Sequence, residues 1–147
     1  MTPAILLTAL LSIFPTTPAR DCLTARRERI AAQVDESVRA FPTVRPALLM
    51  AVAFSETHLG CDRNEGGGWG APINPQQRHR AGTHLHAARA LARSLVVCRG
   101  SELGALRRFR TGLCDPMRQS SSPTVGRVGE AYGRRTLRLA QRMETTR

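Results

Sequence analysis

The chain reads as a mostly α-helical domain. Three observations predict it: apolar residues recur at helical spacing in several segments, these segments open on residues that cap or start helices, and alternating strand patterns are nearly absent. A length of 147 residues and an apolar content of 41% suit one domain with a buried core. No internal repeat is visible.

The first nineteen residues carry no charge and include the apolar run 4–14, followed by Pro15, Pro18 and the small residue Ala19. This pattern predicts a secretory signal peptide over 1–19, with Thr17-Pro18-Ala19 as the cleavage region and residues 20–147 as the mature domain. The run is too short to span a bilayer. It has no basic residue at its start, so a helix buried in the domain or resting on a membrane is the competing reading. No later segment is apolar enough to cross a membrane, and no stable insertion is expected once the signal is removed.

Residues 23–40 predict a helix with Ile30, Val34 and Val38 on one side, ended by Phe41-Pro42. The next segment, 48–60, reads LLMAVAFSETHLG and places a single carboxylate, Glu56, on an apolar helical stripe with Leu49 and Val52. Pro46 suits the first turn and Gly60 the stop. A partly desolvated carboxyl at a helix C-terminus is pushed toward its neutral form, as a general acid requires. The plainer reading is a glutamate at a helix end whose carboxylate reaches water.

A long loop follows over 61–82, with Gly66, Gly67, Gly68 and Gly70 around the only tryptophan, Trp69. Thr83 is placed to cap a helix with Leu85, Ala88, Ala92 and Leu95 inward, and Ser101 to cap another with Leu103, Leu106 and Phe109 inward. Residues 119–124 read as a loop. The last helix aligns Val128, Tyr132, Leu139 and Met143.

Four cysteines, all beyond residue 19, suit an oxidising compartment and two disulfides. Of the three possible connectivities, Cys98–Cys114 with Cys22–Cys61 ties a helix end to a neighbouring segment in each case. Closing the shorter loop contributes about 3 kcal/mol. A zinc site would use the same cysteines with His79, His84 and His86, but no paired-cysteine or HExxH spacing supports one, and neither metal nor cofactor is expected.

The net charge is +11 and every strongly basic residue is arginine. Such a chain is drawn to polyanions, among them cell-wall polymers, anionic lipid surfaces and nucleic acid. The arginines are spread over several helices and aromatics are 4% of the chain, so the stacking platforms of a nucleic-acid binder are missing and no nucleic-acid partner is expected.

The order of segments from about residue 44 to 143 resembles the lysozyme-like superfamily, specifically soluble lytic transglycosylases, which are related to goose-type lysozymes. The run AFSET is similar to that family's apolar helix ending in the catalytic glutamate and a small hydroxyl residue, here Glu56 and Thr57. EGGGWGAPINP resembles its Gly-rich turn into the glycan cleft, with Gly70 matching and Asn74-Pro75 similar to its ending. ALRRFRTG resembles its Ala-x-x-x-Tyr-Asn-x-Gly segment, putting Phe109 on the tyrosine and Gly112 on the glycine. EAYGRRTLRLAQRM is similar to the closing helix that opens on a cleft-facing tyrosine, here Tyr132.

The resemblance implies a lysozyme-like helical domain with a Gly-rich cleft loop. It further implies a secreted or periplasmic enzyme that cleaves peptidoglycan between N-acetylmuramic acid and N-acetylglucosamine, with Glu56 as acid and then base. Thr57, Gly70, Ile73, Asn74, Phe109, Arg110 and Tyr132 would bind the glycan strand, and Trp69 either stacks on a sugar face from the Gly-rich loop or plugs the core beneath it. Two departures stand out. Ile73 replaces the family's glutamine and Arg110 its sugar-contacting asparagine, and neither can make the amide's hydrogen bonds. The alternative is therefore a cationic lysozyme-like protein that has lost catalysis and binds wall glycan or another polyanion. An inverting hydrolase would also need a second carboxylate, for which Asp62 and Glu65 are the nearby candidates.

Overall fold

In the computed structural model, residues 1–61 and 84–146 are described, and among them the chain is helical with no strand. The helices are α1 (Pro3–Ile13), α2 (Arg20–Ala25), α3 (Arg27–Ala40), α4 (Pro46–Thr57), α5 (His84–Val97), α6 (Glu102–Thr111), α7 (Pro116–Gln119) and α8 (Pro123–Thr145). Among these residues no helix is long and apolar enough to cross a membrane.

Helix α4 is the centre of the core. Every residue from Ala47 to Phe54 is buried, so the stripe expected from the sequence is here a helix covered on all sides. It packs against α8, α5, α1 and α3. Pro46 occupies its first turn, where a missing N–H costs no hydrogen bond.

Residues 1–19, expected as a leader or a buried helix, form α1 and the turn after it. Thr2 caps α1, and Leu6, Leu7 and Leu10 are at most 1% exposed against α3, α4 and α8. The ring of Phe14 stacks on Phe54 of α4 with centroids 4.9 Å apart.

The single helix expected over 23–40 is two. Arg26 leaves helical geometry at φ −100° and ψ 13°, ending α2 and starting α3, which then buries Ile30, Val34 and Ser37. Run of apolar periodicity alone does not register such a break, because both pieces keep their apolar residues inward. In α5 the buried face is Ala87, Ala88, Leu91, Ser94 and Leu95, and Leu85, expected inward, is 38% exposed. Thr83, its expected cap, lies outside the described residues. Ser101 caps α6 as expected, its Oγ accepting from the Gly104 N–H at 2.9 Å.

Helix α8 begins at Pro123 behind the cap Ser122, and α7 takes up the start of the expected loop. Its contact with α6 and α7 is made by Gly126, Gly129 and Gly133. A Cβ on Gly129 would stand 2.6 Å from Pro116 Cγ and 2.8 Å from Thr111 Cγ2, so the close approach requires glycine. Those glycines set the roll of the helix, and Val128, expected inward, is turned out to 41% exposure.

Both disulfides join the expected partners: Cys22–Cys61, with Cα atoms 5.8 Å apart, and Cys98–Cys114, 5.6 Å apart. All four cysteines are therefore engaged and none is available to a metal.

Candidate active site

Glu56 lies in the last turn of α4, half-buried, two residues before the left-handed cap His58. The helix closes on itself there: the His58 N–H donates to Phe54 O at 3.1 Å and the Leu59 N–H to Ala53 O at 3.1 Å. His58 and Leu59 have φ of 50° and 58°, and Gly60 follows at 83°. Two consecutive L-residues in the left-handed region are strained backbone, which persists only where the surroundings determine it.

Those surroundings are visible. Thr57 is fully buried, its hydroxyl donating to Ala53 O at 3.4 Å and accepting from the Gly60 N–H at 2.9 Å. Thr57, expected to touch glycan, thus has its hydroxyl engaged in the turn. Cys61, at the end of the turn, is bonded to Cys22 in α2. The His58 ring meets Phe54 edge-on with centroids 4.8 Å apart, continuing the stack from Phe14. The acid therefore sits on a helix end fixed by backbone closure, a buried hydroxyl and a covalent tie.

Tyr132 comes to Glu56 from α8. Its side chain is 5% exposed, and burial pushes its phenol above the usual range. Glu56 acts in the same direction through its charge and its hydrogen-bonding reach, while Thr136 and Arg110 oppose it. Tyr132 is consequently neutral, a hydrogen-bond donor throughout the physiological range. Glu56 is near enough to act on Tyr132, yet the pair is not closed: among the described residues neither the Tyr132 Oη nor the buried Thr136 Oγ1 makes a hydrogen bond of full geometry. Both hydroxyls are buried on one face of α8, with the half-buried Glu56 carboxylate the charged group acting on Tyr132.

Thr136 was not singled out by the sequence. The signal was available, since it follows Tyr132 by four residues on the same helix face. Arg110, near the end of α6, is exposed and bears electrostatically on Tyr132. Phe109 is partly buried against the core. Trp69, Gly70, Ile73 and Asn74, together with Asp62, Glu65 and His79, lie outside the described residues.

The register that brings α6 and α8 together is held at both ends. Glu130 of α8 accepts from Arg107 of α6 at 2.7 Å and from Arg134, which hold its carboxyl below the usual range, Arg107 first. At the far end Arg45, just before α4, forks onto Glu102 with contacts of 2.7 and 3.0 Å and also pairs with Glu144 of α8. His84, at the start of α5, is buried, and desolvation pushes its imidazole down to about 4.

Compared with known proteins, the chain matches no family model, no curated protein and no solved structure.

Proposed function

We propose that this protein is a peptidoglycan-cleaving lytic transglycosylase that acts on the bond between N-acetylmuramic acid and N-acetylglucosamine. The observation that carries the reading is that Glu56, at the braced end of α4, acts on the buried Tyr132 of α8, on which Thr136 and the α6 residue Arg110 also bear. The two disulfides favour a compartment outside the reducing cytoplasm, secreted or periplasmic.

In this reading the protonated Glu56 carboxyl donates its proton to the glycosidic oxygen as the bond from that oxygen to the muramic C1 breaks, leaving an oxocarbenium-like sugar. The sugar's own 6-hydroxyl then attacks C1, and its proton returns to the Glu56 carboxylate. The product is a 1,6-anhydro sugar and the enzyme is restored. No second carboxylate is needed. Neutral Tyr132 orients the Glu56 carboxyl by closing onto it as a donor when the strand binds, and Arg110 takes the place of an amide by reaching a carboxylate or carbonyl of the strand.

The test is to incubate the oxidised full chain and its Glu56→Gln variant with peptidoglycan sacculi and identify the released products by mass spectrometry. Anhydromuropeptides from the parent, with at least a hundredfold less from Glu56→Gln, are expected. Reducing-end products would make the protein a muramidase. No release from either, with both sedimenting on sacculi, would replace the reading with a wall-binding protein that has lost catalysis.

A further inference from the structure

The arginines that look scattered in sequence are gathered along one face of α8. At 100° per residue, Arg127, Arg134, Arg135, Arg138 and Arg142 fall within about 100° of the helix surface and along about 22 Å of its length. All five are exposed. Tyr132, Thr136, Leu139 and Met143 lie on the opposite, buried face, so the row stands behind the candidate active site. No acid occupies it. Glu130 and Glu144 flank it and are already engaged, Glu130 by Arg107 and Arg134 and Glu144 by Arg45. Among the described residues Arg127, Arg135, Arg138 and Arg142 form no ion pair, which leaves four guanidinium forks facing solvent on one rigid element.

We infer that the outer face of α8 is a binding surface for a linear polyol-phosphate chain. The planar guanidinium fork matches a phosphate oxygen pair. The row spreads around the helix as well as along it, a path that a flexible chain of regularly spaced anions, as a polyol phosphate is, can follow. Single-stranded nucleic acid and a lipid surface are disfavoured by what the face lacks. It carries no aromatic ring on which a base can stack, as a single-stranded nucleic acid would use. Beyond Ala131 and Val128 it offers no apolar surface to enter a lipid headgroup layer. The inference goes beyond the proposed glycan chemistry and holds whether or not Glu56 cleaves, because the two sites occupy opposite faces of one helix.

The test measures binding of the full chain to poly(glycerol phosphate) over a salt series. Four phosphate contacts predict a slope of log K against log salt of about −2.8, falling to near zero when Arg127, Arg135, Arg138 and Arg142 are replaced by glutamine. A charge-matched control replaces Arg20, Arg26, Arg29 and Arg39 by glutamine and is expected to keep the steep slope. Circular dichroism checks that both variants retain the helices, as exposed substitutions should. Equal losses in the two variants would overturn the site, since binding would then follow net charge alone. Tighter binding to single-stranded DNA, to polygalacturonate or to phosphatidylglycerol vesicles than to poly(glycerol phosphate) would overturn the partner.

Discussion

Helices α4 and α8 meet at the candidate site and hold their functional groups in opposite ways. Helix α4 is apolar around its whole circumference and buried from Ala47 to Phe54, and its one carboxylate emerges where the helix ends. Helix α8 is two-faced, with glycines, Tyr132 and Thr136 inward and arginines outward. The acid is therefore placed by burial on every side, and the tyrosine by one close seam against α6. The first arrangement fails when atoms are removed. The second fails when atoms are added.

The largest test of this contrast removes the cover of α4. A chain beginning at Arg20 loses α1 and with it the burial of Leu6, Leu7 and Leu10. At about 1.5–3 kcal/mol per buried leucine the loss is roughly 5–9 kcal/mol, comparable with the whole stability of a small domain. We expect the shortened chain to show no cooperative urea transition. The amino-terminal sequence of the protein purified from its native source then separates a leader from a retained helix. Retained stability in the shortened chain would show that α4 does not need that cover.

Within the two helices the expected sign is the same and the cause is opposite. Leu49→Ala, at a fully buried position of α4, should cost about 2–5 kcal/mol through the cavity it leaves. Gly129→Ala should destabilise as well, by about 1–3 kcal/mol, although alanine is the better helix former by about 1 kcal/mol, because its methyl would overlap Pro116 and Thr111. Denaturant midpoints of the two variants measure both. A stabilising Gly129→Ala would mean that α6 and α8 can part freely and that the seam does not position Tyr132.

The pH dependence probes the edge of the core where α5 begins. His84 is held at about 4 by burial, against an ordinary 6.5, so the unfolded chain binds the extra proton and the folded one does not. The cost is absent above pH 6.5, grows as pH falls, and reaches up to about 3 kcal/mol near pH 4. Urea midpoints of the parent and of His84→Gln at pH 7.5 and 4.5 should diverge by most of that amount, with the parent losing more. Parallel curves would show that His84 accepts its proton in the folded state.

What could be read from the sequence follows the same division. The α4 segment, its proline start, the Ser101 cap and both cysteine pairings are local signals or short spatial ties, and the structure carries them. The outward turn of Val128 and Leu85 was not legible, because apolar spacing does not say which neighbour a helix leans on. The close contact made by Gly126, Gly129 and Gly133 is known only from the packing of α8, and it outranks Val128 in fixing the helix's roll. The break at Arg26 leaves no trace in the apolar pattern. Around Glu56, Tyr132 was legible by resemblance and Thr136 only by its helical offset from Tyr132.

The smallest expected effect lies where the two helices are tied end to end. Arg45 precedes α4 and reaches Glu144 at the end of α8 and Glu102 at the start of α6, each side chain about one-third exposed. Solvent screening keeps such pairs modest, and the forked geometry on Glu102 places this one near the top of that range, so Arg45→Met should cost about 1 kcal/mol. The methionine retains much of the apolar stem, which separates the charge from the packing. The loss should shrink in 1 M salt, where the Debye length is about 3 Å. A loss that ignores salt would mean that Arg45 acts through its stem, and that the ends of α4 and α8 are joined by packing, as their middles are.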